Sequence, residues 1–385
     1  MDDVTLVRQF RAEVPEPDGA TLDRIRDDVV AALPARDARR PGRMRLLAAF
    51  RNRRPAVRLA IAAGVVAVIA LSTIVVDALV PPNGRPVIGH EAAAAAFYQA
   101  AAVAIRASDP PLKPGQFYYR RTVEVAGAGF ADGPCGGLFY LQKSVYETWI
   151  PKDWSDQWMR RQADEVERYF FRPSDEAKAK QCGARPPFPG IEVRKAPAGL
   201  FYPEGAFRLG DEPRDASGAI VYNPSPAEIA RRLAQGNWQG PTPPFMAGLP
   251  RDPKRLLDRI YHDSKGQGRG RDEEAFVFVR DILRSGVVPA DLRAALFSAA
   301  ALIPGVRLVS DSVNLEGRHG VAVAMSDHGE TRVELIFDPA SGEVIGEREV
   351  VLVADYVGGV RPGTTIGYTA VSRQVVDAMG AMPGK

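Results

Sequence analysis

His90 and Glu91 stand side by side as they do in a zinc-protease helix. That chemistry needs a second histidine four residues on, so that both rings face one metal, and position 94 is alanine. The metal reading fails there. GQGRGRD, residues 266–272, alternates glycine with other residues but lacks the GxGxxG spacing that lets a backbone approach a pyrophosphate, and no strand-like run precedes it. It reads as a solvated loop. The chain has no GxSxG nucleophile elbow and no Walker A sequence, and Asp272, Glu273 and Glu274 read as the charged start of a helix rather than an acid and base pair. Sites assembled from distant residues escape such a scan. The expectation is a non-enzymatic protein with no cofactor, no metal and no catalytic residue.

Cys135 and Cys182 are the only cysteines in 385 residues, and no Cys-x-x-Cys spacing suggests metal binding or redox exchange. A bridge between them would close a loop of about 48 residues and contribute on the order of 4 kcal/mol through chain entropy. The alternative is two buried thiols. Compartment decides between them, because disulfides persist outside the cytoplasm and not within it.

The compartment is read from Leu59–Val76, 18 uncharged and mostly apolar residues that as a helix reach about 27 Å, close to the hydrocarbon thickness of a bilayer. Nine arginines lie directly before the run within residues 36–58, among them Arg51, Arg53, Arg54 and Arg58, and Asp77 follows it. Residues 1–58 carry 13 arginines against 9 acids, while the whole chain has a formal net charge of only +3. A nucleic-acid surface is one reading of such a cluster, but its position beside an apolar run favours the membrane, and no nucleic-acid partner is expected. A cleaved signal would need a shorter n-region and a small-residue cleavage site. The expectation is therefore a single transmembrane helix over 59–80, an arginine-rich juxtamembrane segment over 36–58, a cytoplasmic N-terminus, and both cysteines on the outer side of the cell membrane.

Residues 1–35 read as two short helices separated by Pro15 and Pro17. Val4, Val7 and Phe10 share one apolar stripe, and Leu22, Ile25 and Val29 share another after Thr21 as N-cap. Such stripes either bind a partner protein or belong to a frayed linker. With eight acids against four arginines, this head suits a basic partner better than DNA.

Beyond the run, an alanine-rich helix is expected over 90–108, then two antiparallel strands in KPGQFYYRRTVEVAG and LFYLQKSVYETWI. Trp149, Trp154 and Trp158 form a cluster that reads as strand-end packing, with a ligand groove as the alternative. Residues 178–253 read as extended or looped apart from SPAEIARRLAQG, and a domain division near 180–250 is compatible with that stretch. DPKRLLDRIYHD, EAFVFVRDILRSG and PADLRAALFSAAALIPG read as helices, and the segment from VRLVSD to EREVVLV reads as an antiparallel meander, with GYTAVSRQVVDAM as a last strand. The fold class that follows is α+β over residues 86–385: a curved antiparallel sheet covered by helices, placed after the transmembrane helix.

The order of LVRQFRAEVPEPDGATLDRIRDDV, the arginine-flanked span, KPGQFYYRR, ETWIPKD, LPRDPKRLLDRI and LRAALFSAAALIPGV…LEGRHGVAVAM…ELIFDPASGEVIG resembles a family of actinobacterial single-pass membrane proteins of uncharacterised function, often encoded beside extracytoplasmic-function sigma factors. The resemblance covers nearly the whole chain, and LIPGV to FDPASG is its most specific part. It implies an anti-sigma-like sensor or regulator: an outer domain that senses, one anchoring helix, and a head that meets a sigma factor or another cytoplasmic protein. Unlike zinc-type anti-sigma factors, the chain has no Cys or His before the span. The expected curved sheet also resembles periplasmic lipoprotein carriers and stress sensors, which implies the alternative of an extracytoplasmic module for lipid, peptide or cell-wall material.

Overall fold

The computed structural model describes residues 87–383 without 107–108, 131–132, 184–189, 203–210, 269, 355 and 357–358. Strand β1 (Val87–Ile88) leads into helix α1 (His90–Ala104), and three 14-residue strands follow, β2 (Phe117–Phe130), β3 (Leu138–Pro151) and β4 (Gln157–Phe170). Helix α2 (Pro173–Gln181) and strands β5 (Gly190–Pro197) and β6 (Ile220–Val221) come next. Five helices then run in succession: α3 (Pro226–Ala234), α4 (Pro243–Ala247), α5 (Pro253–Asp263), α6 (Arg271–Arg284) and α7 (Ala290–Ala300). The chain closes with β7 (Arg307–Val313), β8 (His319–Asp327), β9 (Thr331–Phe337), β10 (Val344–Val351) and β11 (Thr365–Val376).

These strands form one 11-stranded sheet in the order β1-β7-β8-β9-β10-β11-β2-β3-β4-β5-β6. Neighbours are antiparallel except β5 and β6, which run parallel, so the sheet is mixed. This corrects the α+β expectation of an antiparallel sheet covered by helices. The architecture is mostly sheet, and helices α1, α5, α6 and α7 pack chiefly on Val323, Met325, Leu335 and Phe337, leaving β2 to β5 outside that helical core. Among the described residues no helix is long and apolar enough to cross a membrane. The run over 59–80 lies outside the described residues, as do Arg51, Arg53, Arg54, Arg58 and Asp77 and the head residues Val4, Val7, Phe10, Leu22, Ile25 and Val29.

The physical reason for the difference is the segment from 157 to 197. QWMRRQADEVERYF and GIEVRKAP carry polar or charged residues toward both faces, so they show no apolar alternation, yet each is held as a strand by backbone pairing from Gln157 opposite Pro197 to Asp164 opposite Gly190. Elsewhere the local signals act as expected. Asp252 caps α5 by accepting from the Arg255 N–H with Pro253 in the first turn, and Leu256, Leu257 and Ile260 are buried. Gly342 ends the DPASG turn at φ +65°, where a Cβ would stand 2.9 Å from the Ala100 carbonyl oxygen of α1. Only glycine lets that turn dock so closely.

The opposite face of the sheet buries a second core, including Val123, Val125, Ile336, Tyr368 and Ala370. Within that face Glu334 is fully buried between two arginines. Arg348, its direct cross-strand neighbour, donates to it from Nε at 2.8 Å, and Arg332 donates from Nε at 3.0 Å. Cys135, in the β2 to β3 connection, is bonded to Cys182 at the end of α2 (Cα–Cα 5.5 Å), which fastens α2 over Leu138 and Phe170.

Two outcomes follow from this packing. Glu334→Gln leaves buried Arg348 and partly exposed Arg332 without their shared counter-charge and should cost about 3–5 kcal/mol in a urea-denaturation series. Replacing Cys135 and Cys182 together by serine should lower the same unfolding free energy by about 2–4 kcal/mol, with no change in the far-ultraviolet circular dichroism of the folded protein.

Candidate functional site

Three basic doublets sit in strands: Arg120-Arg121 in β2, Arg160-Arg161 in β4 and Arg194-Lys195 in β5. Successive side chains of a strand point to opposite faces, so each doublet delivers one charge to each side. On the face of the second core every delivered charge meets a carboxylate. Arg121 reaches Glu316 at 2.6 Å, Lys195 reaches Asp215 at 2.7 Å, and Arg161 pairs with buried Glu147, which also accepts from the Tyr119 hydroxyl.

The other three charges fall in register. Arg373 of β11 stands opposite Arg120, Arg120 opposite Thr148, Thr148 opposite Arg160, and Arg160 opposite Arg194, giving four arginines and one threonine in a single cross-strand row. Like charges directly opposite repel, so such a row needs counter-charge. Its two ends have it. Arg373 donates to Asp109 at 2.7 Å and Glu343 at 3.1 Å, and Arg194 takes Glu192 in a two-point contact at 2.6 and 3.1 Å.

Its middle does not. Arg120 donates to the Ser285 carbonyl oxygen at the end of α6 (2.7 Å) and forms no ion pair within the described residues. Arg160 lies over the rings of Tyr146 (5.0 Å) and Tyr202 (5.4 Å), and its buried Nε has no hydrogen-bond acceptor. Burial, and then the nearby charges of Arg160 and Arg284, bring the Arg120 guanidinium down to about 10. Arg284 itself is half-buried. Burial works against its charge, but Glu347, Asp281 and Glu124 together hold it above the usual arginine value.

The rows on either side differ in chemistry. One step along the same face, about 7 Å away, Tyr118, Ile150, Trp158 and Ala196 form an apolar row backed by Phe201. In the opposite direction comes Thr122, Tyr146, Gln162 and Glu192, and then an acidic row of Glu124, Ser144 and Asp164. Glu124 is raised above the usual carboxylate range by burial and by Glu347, against the pull of Arg284. The face therefore grades from apolar through basic to acidic across four rows.

The residues with apparent chemistry in the sequence are dispersed. His90 opens α1 at a distance in the chain from any second ligand, and among the described residues no cluster of His, Cys, Asp or Glu is arranged to hold a metal ion. Asp272, Glu273 and Glu274 occupy the first turn of α6, where Asp272 accepts from the Tyr261 hydroxyl at 2.7 Å, and the other two line a groove of about 460 Å³ with Arg280 and Glu349. The tryptophans split across the sheet. Trp158 meets Trp154 edge-on at 4.9 Å beside the arginine row, whereas Trp149 packs on Tyr119 at the other face. The arginine row escaped sequence reading, although the doublets in strand-like runs are its signal.

Comparison of the chain with family models, curated proteins and solved structures finds no match.

The raised Glu124 gives a pH test. A carboxylate whose folded-state value lies above its unfolded value costs stability at high pH, and that cost is lost as pH falls through the folded and then the unfolded value. Glu124→Gln should be more stable than wild type at pH 7 to 8, and thermal melts should show the difference closing as pH approaches about 4.5.

Proposed function

We propose that the protein is a non-enzymatic, membrane-tethered sensor or regulator whose sheet body binds a ligand outside the cytoplasm on the graded face of β2 to β5. The observation that carries this reading is the arginine row, whose two central members have no carboxylate partner among the described residues. Arginines held in fixed register suit recognition of an anionic group without breaking it. The Cys135–Cys182 bridge supports an oxidising compartment for this body. In the same proposal the arginine-flanked run at 59–76 tethers the chain to the cell membrane, and the acidic head over 1–35 meets a cytoplasmic partner, a sigma factor being the class that the resemblance favours.

The reading is tested by purifying the full chain from its own membranes in a neutral detergent, extracting it and identifying what it carries by mass spectrometry. A stoichiometric anionic ligand that disappears in an Arg120→Gln, Arg160→Gln double variant is the expected result. A chain that is clean of any organic ligand in both forms would sink the binding reading.

A further inference from the structure

We infer that the open groove at the end of the sheet where β2 begins and β3 ends docks a proline-rich segment of a partner protein, held as a polyproline II helix with a basic residue beside its prolines. This goes beyond the proposed function and does not use the arginine row. The groove holds about 760 Å³ and is lined by Pro114, Phe117 and Trp154 from the sheet end, by Leu233 of α3, and by Pro243 and Pro244 at the start of α4. None of these six belongs to the buried core: the three prolines are exposed, and Phe117, Trp154 and Leu233 are half-buried. No residue of α3 is fully buried, and Ile229, one turn before Leu233, is half-buried as well, so the apolar wall continues along that helix.

The chemistry of the wall selects the form of the occupant. Pro114, Pro243 and Pro244, with Pro151 beneath them, carry no N–H, so an extended strand would find few donors for its backbone carbonyls. A polyproline II segment makes no such demand, because its backbone is solvated and its rings recur every third residue on one face. Aromatic-lined grooves recognise such segments at low entropic cost. Phe117 and Trp154 supply the rings, and Trp154 adds one donor. Its ring packs edge-on against Trp158 at 4.9 Å and its carbonyl oxygen accepts from the Trp158 indole at 3.1 Å, whereas its own Nε1 has no acceptor among the described residues and is not enclosed. An indole N–H in that state suits a carbonyl oxygen of the occupant.

Charge then sets the residue beside the prolines. Asp153 and Asp156, exposed on the β3 to β4 turn, outnumber Lys152 on the rim of the groove. Asp153 accepts at Oδ1 from the Ser155 N–H (2.9 Å) and hydroxyl (2.7 Å), which fixes the carboxylate in the turn and leaves Oδ2 without a donor. The Asp156 carboxylate has no hydrogen-bond or ion-pair partner among the described residues. An arginine or lysine of the occupant supplies the counter-charge that both lack.

Fluorescence anisotropy with the full chain in neutral detergent tests this with labelled, blocked peptides: three Pro-Pro-Ala repeats ending in arginine, the same repeats ending in glutamate, and a peptide of equal length with glycine and serine in place of the prolines and the arginine kept. The arginine peptide should bind about tenfold more tightly than the glutamate peptide, with the gap narrowing as salt is added, and the glycine-serine peptide should bind about tenfold or more weakly than the first. Trp154→Phe, which keeps a ring and removes the donor, should weaken the arginine peptide by about threefold to tenfold. Asp156→Asn should reduce the advantage of the arginine peptide over the glutamate peptide, and Ile191→Ser, at an exposed position of β5, should change nothing. Thermal melts of each variant establish that it is folded. Arginine and glutamate peptides bound alike overturn the proposal, as does a glycine-serine peptide bound as tightly as the proline peptide. Arginine-peptide affinity unchanged by both Trp154→Phe and Asp156→Asn places binding elsewhere and overturns it too, and so does failure of all three peptides to bind at about 1 mM.

Discussion

The unbroken backbone ladder from β11 through β2 and β3 into β4 is the constraint on which the remaining features depend. Ten residue pairs join β11 to β2 and fourteen join β2 to β3 without a shift, and the β3 to β4 pairing keeps step from Trp149 to Ser144 before its bulge. A slip by one residue would exchange the faces of every side chain on the moved strand. Arg120 would enter the core beside Val123's neighbours and Arg121 would leave Glu316. The strong burial of Val123, Val125, Leu141 and Tyr368 on one face therefore holds the arginine row in place on the other.

The two faces handle ionised groups in different ways. Behind the sheet, Glu334 and Glu147 are each buried against basic partners, an arrangement that contributes little net stability but is costly to break from the arginine side. In front of it, Arg284 is the meeting point of Glu347, Asp281 and Glu124, and α6 is tied to the sheet through that contact and through the Arg120 bond to Ser285. The same helix end thus touches both the acidic and the basic rows. The Glu334 and Glu147 pairs are separable from the unmatched centre of the row because they lie on the opposite face of the sheet.

Much of the fold was legible wherever one face of an element is apolar. The alanine-rich helix, the β2 and β3 strands, the α5 helix with its Asp252 cap and the final meander all follow from periodicity and capping. β4 and β5 were not legible, because Arg160, Gln162 and Asp164 alternate with Arg161 and Ala163 and no apolar stripe marks a buried side. Their pairing is decided by neighbours far along the chain. The cysteine pair was readable as an expectation from compartment, since two isolated cysteines on one side of an apolar run have few other uses. The candidate site was least legible: three basic doublets look like solvated charge until register aligns one member of each. A search for doublets within β-rich runs, rather than for catalytic motifs, would have found it.

The sheet closes late in sequence. β2 ends at Phe130, but its partner β11 begins only at Thr365, after the helices and the whole meander have been made. During synthesis from the N-terminus, β2 to β4 and α2 emerge long before that strand, with the outer edge of β2 unpaired and open to wrong partners. Both members of the Cys135–Cys182 pair belong to this early segment. The bridge can therefore form before β11 exists, turning a half-built sheet into a cross-linked unit that waits for its final strand. Its contribution to vectorial assembly is then separate from its contribution to the finished molecule, and an oxidising environment acts on the order of folding events as well as on their outcome.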